Sequence, residues 1–230
     1  MKDVALVSLF FDYPDHSFPL IYNNSLKYFN EEDVYIARFT GLPEGSSYYE
    51  KLYRYKLFYF LPYVEKHILG KYKYMIFVDA KDTNFYRDPN SLIEEFLKFN
   101  KNIVFCGEKE LWPSTNYTNL YKNKINSGEF KFLNSGGYVG YTTEIVKHLR
   151  NITEKDYPER VEDQSAWTIE YLLSDDIEVD SEGKIFFSTH LNKELVNENE
   201  GKFLLKGLNP FIIHDNGPYG DNTIKFAHLI

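Results

Sequence analysis

The chain alternates short apolar runs with longer stretches whose apolar residues recur every three or four positions. The runs are residues 4–10, 34–38, 74–78 and 103–106. They are too short for helices, are rich in Val, Ile and Phe, and carry few polar residues. That pattern predicts strands buried on both faces. Between them, residues 17–29, 46–69 and 88–99 predict helices. Asn30 and Gly70 act as stops for the first two. Pro62 divides the second, and Leu92, Ile93, Phe96 and Leu97 line one face of the third. Strands alternating with helices predict an α/β fold on a mostly parallel, Rossmann-like central sheet flanked by helices.

The second half is less regular. Residues 111–132 are rich in Asn, Tyr and Lys and predict a long excursion, of a length typical of functional or disordered loops. A strand-like run with paired glycines follows at 133–140. Helices are expected at 143–150 and 163–172, and short strands at 177–179, 185–187 and 211–213. No internal repeat, low-complexity tract or linker interrupts the chain, so one domain is expected over residues 1–230.

Composition narrows the function. The 230 residues include 26 basic and 34 acidic side chains, a net charge of -8, which argues against a nucleic-acid-binding surface. No apolar stretch approaches the length of a membrane span. The first strand superficially resembles a signal peptide, but it is short and ends at Asp12-Tyr13-Pro14 without a small-residue cleavage site. A cytoplasmic or other intracellular location is the expectation. Cys106 is the only cysteine, which excludes an internal disulfide and predicts a buried thiol.

Four segments end apolar or strand-like runs, or open helices, with polar residues that carry chemistry. Asp79 and Asp82 close the 74–78 strand, and ligands of open α/β sheets collect outside the strands' carboxyl ends. Two carboxylates from one turn are hard oxygen ligands for Mn²⁺ or Mg²⁺, and through the ion for a diphosphate. The competing reading is a plain strand-to-turn junction with Asp79 capping a helix. Asn134-Ser135-Gly136-Gly137 is either a close-approach segment using the freedom of glycine or an ordinary tight turn. Glu162 and Asp163 stand at a helix start, either as cap and dipole charges or as carboxylates facing a reacting carbon or an attacking hydroxyl. His214 follows the 211–213 strand. It is either a hydrogen-bonded structural residue or the third donor beside Asp79 and Asp82, a set that suits Mn²⁺ better than Ca²⁺.

Taken in order, FVDAKD (77–82), EKELWP (108–113), FLNSGGYVG (132–140), EDQ (162–164) and IIHDNGP (212–218) resemble the glycosyltransferase domain of the multifunctional procollagen lysyl hydroxylases and related collagen glycosyltransferases. The resemblance covers roughly residues 45–220 and implies a GT-A fold, with residues 1–110 as the nucleotide-sugar half and 111–230 as the acceptor half. It implies a UDP-glucose or UDP-galactose donor, a Mn²⁺ ion (Mg²⁺ as the alternative) and a protein or glycan acceptor, collagen-like hydroxylysine among them. By position, Asp79, Asp82 and His214 are its metal ligands. Lys56, Ser8, Trp112, Asn134, Gly136, Asn216 and Gly217 fall on the donor side, and Glu162 and Asp163 beside the anomeric carbon or the acceptor. The chain departs from the family at Lys81, where an aromatic residue commonly meets the base, and at Asp215, which adds charge near the diphosphate. These departures motivate a rival function on the same scaffold, a non-catalytic UDP-sugar or glycan binder; a metal-dependent nucleotide-sugar hydrolase is a third reading.

Overall fold

The computed structural model describes residues 2–11, 20–39, 54–113, 115–122, 124, 128–155, 162–192, 195–199 and 202–216. Its centre is a six-stranded sheet made of β1 (Lys2–Phe11), β2 (Val34–Phe39), β3 (Tyr72–Asp79), β5 (Ile103–Glu108), β6 (Phe132–Tyr141) and β7 (Ile177–Asp180). The spatial order is β2-β1-β3-β6-β5-β7. Only β6 runs against the others, inserted antiparallel between β3 and β5. A second sheet, β4 (Thr83–Phe85), β11 (Ile212–His214) and β8 (Phe186–Ser188), stands beside the carboxyl end of β3. A separate two-stranded pair is formed by β9 (Val196–Asn199) and β10 (Lys202–Leu205).

The apolar character of β3 follows from its place. Met75 and Phe77 pack on one face with helix α2 (Phe60–His67), α5 (Thr142–Glu154) and α6 (Asp163–Leu173). Tyr74, Ile76 and Val78 pack on the other with α1 (Leu20–Ser25) and α3 (Leu92–Lys98). Both pleat faces therefore exclude water, and neither tolerates a charge. Aromatic rings form a column through the first core: Phe77 stacks on Tyr138 at 4.7 Å, and Tyr138 and Phe105 both meet Trp167, at 5.6 and 5.0 Å. Such pairs add about 0.5–1.5 kcal/mol each beyond area burial.

The structure revises several sequence expectations. The 46–69 helix is described from Arg54: a π-helical segment, Arg54–Tyr59, gives way to α2 just before Pro62. Pro62 has no N–H to continue the wider ladder, and the winding changes there. Gly70, at φ +79°, ends the helix as expected. The first helix stops at Ser25, ahead of Asn30, and the excursion contains a short helix, α4 (Thr118–Tyr121). Asn134 to Gly137 form extended strand, neither a tight turn nor a positive-φ segment, since the described positive-φ glycines are Gly70, Gly183 and Gly207. Among the described residues no helix is long and apolar enough to cross a membrane.

Candidate functional site

Asp79 is the last residue of β3, and a three-residue turn delivers Asp82 just before β4. The Thr83 hydroxyl donates to the Asp79 carbonyl and closes that turn. β11 lies antiparallel to β4 with His214 opposite Thr83, and the Asp215 N–H donates to the Asp82 carbonyl at 2.7 Å. This pairing, across more than a hundred residues of chain, carries the imidazole to the aspartates. His214 Nε2 lies 3.5 Å from Asp82 Oδ1 and 3.8 Å from Asp79 Oδ2.

Those separations are too long for good hydrogen bonds. Both ring nitrogens of His214 are buried and have no hydrogen-bond partner. An unsatisfied buried polar group costs about 1–3 kcal/mol, so the arrangement calls for a ligand. One donor atom from each of Asp79, Asp82 and His214 lies within 4.8 Å of the others. Two carboxylates and one imidazole form a donor set suited to a divalent ion such as Mn²⁺. Burial pulls the His214 imidazole toward neutrality, but Asp82 and Asp79 outweigh it and raise its pKa. Burial raises the pKa of Asp79, with Lys56 pulling against it. For Asp82 burial is outweighed, chiefly by His214, and the pKa is lowered.

Gly136 is the floor of this site. A Cβ there would lie 2.1 Å from His214 Cε1, so the ring occupies space that only glycine leaves open. The segment reaches the site because β6 leaves its β5 register. Phe105 pairs with Tyr138 but Cys106 with Asn134, so residues 135–137 bulge free of β5.

Lys56 projects from the π-helical segment onto both oxygens of Asp79, at 2.7 and 3.0 Å, and lies 3.5 Å from Asp163 Oδ2. Burial works against its charge, but Asp163, Asp79 and Asp82 more than compensate and hold its pKa above the ordinary lysine value. Asp163 opens α6 and is buried, and Ser135 Oγ donates to it at 2.7 Å. Glu162 holds the N-cap position, where its carboxylate accepts from Ser165 at 3.3 Å and burial raises its pKa.

A second carboxylate centre was not singled out from the sequence. Glu108 ends β5 and is buried. It accepts from Gln164 at 2.7 Å and from Asn134 and Asn216, each at 3.1 Å. The signal was present: like Asp79, Glu108 is an acidic residue at the carboxyl end of an apolar strand, where ligands of α/β sheets gather. Gln164 also donates to the Trp112 carbonyl at 2.9 Å, while the Trp112 side chain belongs to a residue 57% exposed. Asn216 accepts from Ser188 Oγ at 2.5 Å, and the Asn134 side chain accepts from the Gly136 N–H at 2.9 Å.

The structure thus gathers Asp79, Asp82 and His214, ties Asp163 to Asp79 through Lys56, and joins Asn134 and Asn216 through Glu108. Ser8 is buried between β1 and β3, with its hydroxyl donating to the Val78 carbonyl at 2.6 Å. Gly217 lies outside the described residues.

The family profile described as the PLOD GT domain matches residues 54–226. The chain is 26% identical over 157 residues to the human multifunctional procollagen lysine hydroxylase and glycosyltransferase LH3, covering 63% of this chain and 20% of that protein. It is 29% identical over 175 residues to the multifunctional procollagen lysine hydroxylase and glycosyltransferase of Caenorhabditis elegans, covering 68% of this chain and 23% of that protein. Over 150 residues it is 26% identical to uncharacterized protein R699 of Acanthamoeba polyphaga mimivirus, covering 64% and 32%. The chain therefore spans about a fifth to a third of the length of these relatives. Its fold matches the crystal structure of a glycosyltransferase involved in the glycosylation of the major capsid of PBCV-1. The TM-score is 0.59 over 100% of both chains at 10% identity, a likeness of fold that agrees with a GT-A sheet.

Proposed function

Since the chain belongs to the PLOD glycosyltransferase-domain family, we propose that it transfers glucose or galactose from a UDP-sugar to a hydroxyl acceptor, with Mn²⁺ held by Asp79, Asp82 and His214. The observation that carries this reading is the His214 ring, buried without a hydrogen-bond partner and set between two carboxylates. Mg²⁺ is the alternative ion for the same donors. The human and Caenorhabditis elegans relatives are named for procollagen lysine, so a hydroxylysine of a collagen-like protein is the acceptor proposed first.

Cleaving the bond between sugar and UDP leaves negative charge on the diphosphate and positive charge at the anomeric carbon. A bound divalent ion supplies Lewis-acid stabilisation of the leaving diphosphate. The chain's own groups do the rest. The Lys56 ammonium, which in this structure lies on Asp79, adds positive charge within reach of the diphosphate. Asp163, held by Ser135 and Lys56, offers a carboxylate to the developing positive charge or to the acceptor proton. Asn134 and Asn216, aligned on Glu108, present polar edges around the sugar, and Trp112 walls it from the exposed side. Residues from both halves of the chain meet at this point, so the two halves act as one unit.

The test is UDP release from UDP-glucose and UDP-galactose, with Mn²⁺ added or withheld, over a panel of hydroxylysyl peptides and glycans. Turnover that needs both Mn²⁺ and acceptor supports the transferase, and Asp82→Ala is expected to abolish it. Free sugar released at a rate indifferent to acceptor marks a hydrolase. Tight UDP binding without turnover marks a binding protein.

A further inference from the structure

The Lys56 ammonium touches both carboxylate oxygens of Asp79, at 2.7 and 3.0 Å. One of these, Oδ2, is also the oxygen 3.8 Å from His214 Nε2. Lys56 therefore stands on the lone pairs that a cation between Asp79, Asp82 and His214 would share. A lysine and a divalent ion on one carboxylate repel each other, and they do so strongly in a site screened from water.

The lysine is built to leave. Its side chain is 12% exposed, and its second partner, Asp163 Oδ2, is already within 3.5 Å. A flexible four-carbon stem moves a point charge over such distances readily. The stem is carried on a π-helical segment, a winding that is rare and often marks functional positions. Without a divalent ion, Asp79 and Asp82 lie close together beside His214, and Lys56 bridges Asp79 to a third carboxylate, Asp163.

We propose that Lys56 is a displaceable counter-cation. It pairs with Asp79 while no divalent ion is bound, and it yields Asp79 when ion and nucleoside diphosphate arrive together, the diphosphate becoming its new partner. The inference rests on the cation site proposed above and adds its regulation. An ion alone must push the lysine off Asp79 with only Asp163 left to hold it, so ion binding is weak without nucleotide. By linkage, nucleotide tightens the ion and the ion tightens the nucleotide by the same factor.

The experiment is a Mn²⁺ titration followed by the EPR signal of the free ion, on the wild type, Lys56→Met, Lys56→Gln and Asp82→Asn, with and without UDP. Without UDP, both Lys56 variants are expected to bind Mn²⁺ roughly tenfold more tightly than the wild type, within the usual range of coupling between sites. With UDP, the wild type is expected to gain affinity and that advantage to shrink or reverse. Thermal shifts provide a second reading: both Lys56 variants should melt lower in EDTA and gain more from Mn²⁺ than the wild type gains. Mn²⁺ uptake by the wild type with UDP, but equal or weaker ion binding in both Lys56 variants without it, would overturn the displacement alone. Failure of the wild type to take up Mn²⁺ at any UDP concentration, with Asp82→Asn indistinguishable from it, would overturn the cation site and this inference with it.

Discussion

Asn216 donates a 3.1 Å hydrogen bond to the carboxylate of Glu108, across 108 residues of chain. With Asn134 and Gln164 it makes three carboxamides from separate parts of the fold that converge on one buried acid. Burial pushes the Glu108 pKa up to about 7, while the carboxamides and His214 pull it back toward the ordinary value. A carboxyl whose folded pKa exceeds its unfolded one keeps a proton that the unfolded chain gives up. Stability from this group is therefore greatest below about pH 4.5 and is lost as pH rises through about 7.

Glu108→Gln is expected to remove a pH-dependent penalty on the order of 3 kcal/mol from the difference between pH 4.5 and pH 8. Urea midpoints of wild type and variant at the two pH values measure it. Turnover should fall by about ten- to a hundredfold, as for other residues that orient a site, because the introduced carboxamide keeps one acceptor oxygen and turns a donor on the partners of the other. Equal pH slopes in the two proteins would place the titration elsewhere.

Gly136→Ala would put a methyl 2.1 Å from His214 Cε1 and 2.6 Å from Nε2. The neighbouring Gly137 is paired with Val78 of β3, so the ring, rather than the strand, must yield. Mn²⁺ affinity and turnover are expected to fall by about a hundredfold, with the far-ultraviolet circular dichroism unchanged. A variant that keeps wild-type ion affinity would show that His214 is dispensable to the site.

His148 is buried between Glu170, 2.9 Å from Nδ1, and Asp176, 3.3 Å from Nε2, at the opposite end of the sheet from the candidate site. Burial opposes its charge, but the two carboxylates prevail and raise its pKa. Its contribution is therefore complete below about pH 6.5 and is lost as pH rises through the higher folded value. Glu170 has the opposite sense. Burial is outweighed by His148, Lys155 and Asn151, and the pKa falls to about 2, so its contribution is lost as pH falls from about 4.5 toward that value. His148→Gln should cost about 3 kcal/mol at pH 6 and remove much of the loss between pH 6 and 9, read from chemical denaturation at both. An unchanged alkaline slope would discount the imidazolium.

Trp112 belongs to an exposed surface, yet its carbonyl accepts from Gln164. Trp112→Ala keeps the carbonyl and removes the ring. Stability is expected to change by no more than about 0.5 kcal/mol, while the KM for the UDP-sugar rises several-fold. A fall in melting temperature without a change in KM would assign the ring to packing instead.

Local pattern gave the layered α/β architecture. Apolar runs mark β1, β2, β3 and β5 because both faces of each meet core, and the spacing of apolar residues marks α3, α5 and α6. The segments β4, β9 and β10 were not legible, since TNF and VNEN are too short and polar to show alternation and KFLL is too short an apolar run to mark a strand. The aspartates at the end of β3 were visible because a charge that closes an apolar run has no core to enter. Three things were decided only by tertiary structure: the antiparallel insertion of β6 between β3 and β5, the pairing of β11 with β4 that brings His214 to Asp82, and the convergence of three carboxamides on Glu108. Side-chain periodicity is a property of neighbours along the chain. Strand order, register and the sharing of one buried acid depend on segments far apart in sequence, and the packed core fixes them by selecting the arrangement that buries both faces of β3 at once.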